Sequence, residues 1–179
     1  RDLRSFPTRR SSDLAIDIVI HGSKQFTRGK ILQMAGSGEP VNLFRVSKSK
    51  IVTALQGDVR VESAEAHYDF PSTLNVYIKE RQPVLYVVTD YGNYAKVDKT
   101  ALVMDMTDGI RDASIPRLAV VACGNAFIGD TLQNDTIREV LQFLDKLQPD
   151  AKEQIADLSV DAEHKLIIHM RYGFPVILG

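Results

Sequence analysis

The chain has 179 residues, 44% of them hydrophobic and 25% charged, with a formal net charge of −1. That composition excludes a disordered chain and fits one ordinary domain or two small ones. It also argues against nucleic-acid binding, which shows a clustered basic face that this sequence lacks beyond its first fourteen residues. The single Cys123 excludes an intramolecular disulfide; next to the apolar run Leu118 to Ala122 it reads as a small buried hydrophobe.

Residues 1–14 are set aside. Phe6 to Leu14 spell the peptide obtained by translating a widely used sequencing adapter in one frame, and a foreign segment has no place in fold reasoning. The competing reading is a natural basic arm for nucleic acid or anionic lipid. Those residues hold four arginines and two aspartates, so the remaining 165 carry 18 basic and 21 acidic side chains, a net −3. Coding sequence is expected to be missing upstream, so the lack of a transmembrane run does not bear on the full-length protein.

Ile16 to Ile20 read as a strand punctuated by His21 and Gly22. Thr27 to Ala35 reads as a short helix with Ile31, Leu32 and Ala35 on one side, ended by Gly36 to Pro40. Asn42, Leu43, Phe44 and Val46 place apolar anchors before Ser47, the predicted N-cap of a second helix carrying Ile51, Val52 and Leu55. From Val59 the pattern alternates, and its phase slips near Ser63, where an extra residue in a bulge resets the buried face. Phe70, Pro71 and Ser72 make the corner into a strand where Leu74, Val76 and Ile78 alternate with Asn75, Tyr77 and Lys79.

Pro83 marks a boundary, because proline cannot donate into a central ladder. Beyond it, Val84 to Val88, Tyr94 to Asp98 and Ala101 to Met104 read as three strands, with a hairpin turn at Asp90 to Asn93, in a meander. Arg111 to Pro116 is a connection and Leu118 to Ala122 a further strand. Ile137, Val140, Leu141, Leu144 and Leu147 form the stripe of an amphipathic helix, with Pro149 just past its end. Ile155 to Val160, Lys165 to Arg171 and Pro175 to Leu178 close the chain as three strands, turning at Asp161 to His164 and at Tyr172 and Gly173. The last residues end without a cap or polar tail, the pattern of a truncation. The fold class is α+β: a small β-α-α-β-β domain over residues 15–83, then a mainly antiparallel β domain with one amphipathic helix over 84–179.

No catalytic or metal-binding pattern emerges. His21, His67, His164 and His169 lack metal-ligand spacing, and Asp105, Asp108 and Asp112 with Gly109 lack the alternate carboxylates and terminal Glu of a calcium loop. Gly36, Ser37 and Gly38 end a helix where a phosphate loop would open one. No cofactor is implied. An enzyme built from residues scattered over the β domain is the one reading that spacing cannot address. Glu80 and Arg81, adjacent on a strand, point to opposite faces and serve either as a structural hinge or as a partner contact.

The order strand, two helices, two strands, ending at Glu80, Arg81, Gln82 and Pro83, resembles the POTRA module of the FtsQ/DivIB family of bacterial cell-division proteins. The Asn42-Leu43-Phe44 lead, the Phe70 to Leu74 corner, the Val97-Asp98 pair and the closing Tyr172 to Gly179 are similar to that family's recurring text. Where members usually place a glycine after the Val97-Asp98 pair, this chain has Lys99, Thr100 and Ala101. The resemblance implies a single-pass inner-membrane protein with its POTRA and β domains outside the membrane. It further implies a non-enzymatic scaffold of the division machinery that connects partners such as the coiled-coil proteins FtsL and FtsB. Its mode would be β-augmentation, pairing a partner segment with a sheet edge. The resemblance implies that the family's main FtsB-contacting strand lies past this chain's end. The Val176, Ile177 and Leu178 strand would then present an edge that the intact protein covers, and weak self-association is expected. Glu80, Arg81, Val176, Ile177 and Leu178 are the candidate partner-binding residues. The competing function is a POTRA unit of outer-membrane assembly or secretion acting as a polypeptide chaperone.

Overall fold

The structure is a computed structural model; it describes residues 17–36, 47–119, 121, 123–163 and 165–178. The adapter-like stretch 1–14, the Asn42 to Phe44 lead and His164 lie outside the described residues. The chain divides into two compact units, with the break between Glu80 and Arg81.

In the first unit, strand β1 (Asp17–His21) is followed by helices α1 (Arg28–Met34) and α2 (Lys48–Gln56) and strands β2 (Val61–Asp69) and β3 (Thr73–Glu80). The sheet order is β1-β3-β2, with β1 parallel and β2 antiparallel to β3. Both helices begin as their caps dictate: Thr27 accepts from Lys30 N and Ser47 from Lys50 N, satisfying a backbone donor that the helix cannot. Ile31, Leu32, Ile51 and Leu55 then bury against Ile18, Ala64, Ala66, Leu74, Val76 and Ile78. Each such fully buried aliphatic side chain contributes about 1.5–3 kcal/mol. The expected phase slip is real, since register shifts between Val61 and Ser63. Asp58 holds the turn into β2 through Arg60, whose Nε donates at 2.8 Å while its guanidinium lies 5.2 Å from the Phe26 ring centroid. The Phe70–Pro71 corner into β3 contains a cis peptide bond.

The second unit contains β4 (Pro83–Val88), β5 (Tyr94–Asp98), β6 (Val103–Thr107), β7 (Arg117–Leu118), α3 (Asp135–Lys146), α4 (Pro149–Glu153), β8 (Ile155–Val160), β9 (Leu166–Met170) and β10 (Val176–Leu178). They form one sheet in the order β10-β9-β8-β7-β4-β5-β6. Asn134 caps α3 by accepting from Ile137 N at 3.1 Å. The predicted stripe Ile137, Val140, Leu141 and Leu144 shares one core with Leu85, Val87, Leu118, Leu158 and Ile168.

The predicted meander is β4-β5-β6, and the sheet is mainly antiparallel, with β7 parallel to both β4 and β8. Two expectations need correction here. β7 pairs at only Arg117 and Leu118, shorter than the run Leu118 to Ala122, of which Val120 and Ala122 lie outside the described residues. The third strand starts at Val103, not Ala101, because Asp98 Oδ1 accepts from Thr100 N at 2.8 Å and Leu102 N at 2.9 Å and bends the intervening chain. Pro149 also opens the short helix α4, consistent with proline's fitness for a first helical turn.

Candidate docking surfaces

Glu80 and Arg81 each have a side-chain partner within their own unit. In the first unit, Ser23 donates its hydroxyl to Glu80 Oε1 beside a shallow pocket lined by Gly22, Lys24 and Gln25. In the second, Arg81 Nη1 donates to Asp98 Oδ2. The Arg81 side chain is 17% exposed and that of Asp98 only 2%. Burial opposes the charge on Asp98, but bonds from the Thr100 hydroxyl, from Arg81 and from the Leu102 and Thr100 amides outweigh it, so its carboxyl is held below the usual carboxylate range.

The outer face of the first unit's sheet carries an aromatic cluster that sequence reading missed. His21 stacks on Tyr77 with ring centroids 4.6 Å apart, and His67 meets the same tyrosine edge-on at 6.0 Å. His21 Nε2 lies 3.0 Å from Asn75 Oδ1. The signal was available only with register in hand, since β1 and β3 align His21 with Tyr77. Two of the four histidines are thus packed against a tyrosine. Among the described residues no group of three or more His, Cys, Asp or Glu side chains is placed to hold a metal ion. Cys123 is half-buried, and that burial pushes its thiol up.

The two edges of the seven-stranded sheet differ. At β6, the amide of Val103 donates to Asp130 O and its carbonyl accepts from Gly129 N, both at 2.8 Å, so a loop covers the start of that edge. At the other edge, β10 pairs only with β9, and among the described residues no strand lies beyond it. Val176 and Ile177 are exposed there, and Tyr172 and Phe174 just before them project into solvent. Leu178 is the third residue of this strand. An open apolar edge is a template for a further strand.

A β-α-α-β-β module followed by a sheet domain defines a two-unit protein of POTRA type, and residues 16–81 match the family model described as POTRA domain, FtsQ-type. The chain is similar to bacterial cell-division proteins of the FtsQ and DivIB kind. It is 23% identical over 167 residues to the cell division protein DivIB of Clostridium acetobutylicum, covering 90% of this chain and 65% of that protein. It is 25% identical over 161 residues to the cell division protein FtsQ of Mycobacteroides abscessus, covering 90% of this chain and 49% of that one. The chain therefore spans between about half and two-thirds of the length of these curated relatives. The major extracytoplasmic domain of the trans isomer of DivIB from Geobacillus stearothermophilus is similar at 16% identity and a TM-score of 0.40, over 56% of this chain and 79% of that one. Among the described residues no helix is long and apolar enough to cross a membrane.

Proposed function

We propose that this chain is a non-enzymatic scaffold of the division machinery, acting outside the inner membrane in a protein anchored there by a single helix. Its partners are other membrane-anchored division proteins, of the FtsL and FtsB coiled-coil type. The observation that carries the reading is the match of residues 16–81 to the FtsQ-type POTRA model, and among the described residues the β10 edge, with Val176 and Ile177 exposed, is the candidate docking strand. Backbone groups along such an edge bind an extended segment without regard to its sequence, while Ile177 and Val176, on alternate faces, provide selectivity. The same edge would let two copies associate weakly at high concentration. Glu80, at the rim of the Ser23 pocket, is a secondary partner contact in this reading, and Arg81 supports docking by fixing the start of β4.

Hydrogen exchange tests the proposal. On adding the purified extracytoplasmic segment of an FtsB-type protein, the amides of residues 176–178 should become protected several-fold. Protection confined to other strands would move the docking site elsewhere.

A further inference from the structure

The β domain carries a second surface, away from β10 and separated from it in strand order by β9, β8 and β7. An open groove of about 420 Å³ is lined by Thr89 and Tyr91 of the β4-β5 turn, Met106 of β6, and Ala126, Phe127 and Ile128 of the loop that follows Cys123. Tyr91 is 78% exposed, Phe127 72% and Ile128 54%. Three large apolar side chains that converge on one groove and remain in water mark an interaction surface more than isolated exposed residues do.

The walls are held in place. Phe127 N donates to Asp130 Oδ2 at 2.9 Å, Asp130 N to Phe127 O at 3.0 Å, and Gly129 N to Val103 O at 2.8 Å, which pins the loop to β6. Thr89 N donates to Asn93 O at 2.9 Å and Gly92 N to Thr89 O at 3.0 Å, closing the hairpin turn beneath Tyr91. Aromatic anchors presented on closed turns lose little freedom on binding.

Charge decides what fits. Segments 89–93, 106–109 and 124–130, which build and flank the groove, contain Asp90, Asp108 and Asp130 and no Lys, Arg or His. All three carboxylate residues are exposed. The groove's lining side chains are largely open to solvent, so a small molecule would be poorly enclosed, whereas a polypeptide laid across it would cover the aromatics and meet the acidic rim.

We propose that this groove docks a polypeptide segment presenting aromatic or branched apolar anchors flanked by Lys or Arg. It is a site distinct from β10, which allows the β domain to hold two partners at once. The flanking cations would speed encounter and make binding salt-sensitive, while the anchors would set its lifetime.

The test is selection of a phage-displayed random peptide library on the immobilised 179-residue chain, followed by titration of the recovered peptides as synthetic probes. The expected peptides combine an apolar anchor with Lys or Arg. Their Kd should rise about tenfold or more in Phe127→Ser, whose side chain is too exposed to matter for folding, and likewise in a paired Asp90→Asn, Asp108→Asn variant. Raising salt from about 0.15 M to about 1 M should weaken them. Ile177→Lys should leave them unchanged. Recovery of no peptides, of acidic or uncharged ones, or of peptides indifferent to Phe127→Ser would overturn the proposal. So would sedimentation showing self-association of the wild-type chain that Phe127→Ser abolishes, because the occupant would then be a second copy.

Discussion

The guanidinium of Arg81 donates to the carboxylate of Asp98, seventeen positions later, at the point where β4 and β5 begin and end their pairing. Two short motifs, the Glu80 to Pro83 strand end and the Val97-Asp98 pair, are therefore two halves of one ion pair. Removing Arg81 leaves a charge on a side chain that is 2% exposed. Breaking such a pair costs about 3–5 kcal/mol when fully buried, and the bonds that Asp98 retains from Thr100 and Leu102 reduce this to about 2–3 kcal/mol for Arg81→Ala. The melting temperature of the β domain should fall on the order of 10 °C. Asp98→Ala, which also frees the Thr100 and Leu102 amides, should cost more. Thermal denaturation followed by circular dichroism reads both. An Arg81→Ala variant with unchanged melting and lost partner binding would make Arg81 a contact residue, contrary to its place in the structure.

Asp98 also sets a pH dependence. Its folded-state carboxyl titrates below the unfolded value of about 3.9. The unfolded chain therefore binds more protons in the acid range, and stability rises with pH. The contribution is fully present above about pH 5 and is lost as pH falls through the folded value. Asp58, lowered chiefly by its hydrogen bond from Arg60, acts in the same direction in the first unit. Urea unfolding of wild type and Asp98→Asn between pH 7 and acid should show the two curves converging as pH drops. A constant gap would contradict the assignment.

Gly22 is required by geometry. Its φ is +83°, and a Cβ there would lie 2.2 Å from the carbonyl oxygen of Ile78. No rotamer relieves a clash with backbone, so β1 would have to move off β3. Gly22→Ala is expected to destabilise the first unit by about 3 kcal/mol or more, measured by denaturant titration.

Ala101 adopts φ +63°, a backbone conformation that glycine takes without strain. Substituting glycine relieves about 1 kcal/mol of left-handed strain. It also removes a buried methyl worth about 0.8 kcal/mol and adds freedom to the unfolded chain. These effects nearly cancel, and Ala101→Gly should change stability by less than about 0.5 kcal/mol. Ala101→Val, which adds β-branching at positive φ, should cost more than about 2 kcal/mol by the same denaturant assay.

Much of this architecture was legible because its causes are local. Thr27 and Ser47 start helices with their own hydroxyls, the alternation of Leu74, Val76 and Ile78 follows from one buried face, and the slip at Ser63 breaks a short-range period. What stayed hidden depends on distant partners. β7 is a strand only because β4 and β8 flank it, and two residues have no period to read. The His21 and Tyr77 stack needs the β1/β3 register, and the Tyr91 and Phe127 groove joins segments separated by more than thirty positions. The Val176 to Leu178 strand was legible from its apolar run, while its place at a sheet edge was expected only from the family resemblance, because strand order leaves no local pattern.

The most direct test of strand addition at β10 is a calorimetric titration of an FtsB-type extracytoplasmic segment into the wild-type chain and into Val176→Pro, Ile177→Pro and Ile177→Lys variants. Adjacent backbone amides on a strand point to opposite sides, so one of the two prolines removes a donor from the open edge. We predict that binding to wild type is lost in that proline variant and weakened about tenfold in Ile177→Lys, with melting of the remaining sheet retained. Undiminished binding to all three folded variants would contradict docking at this edge.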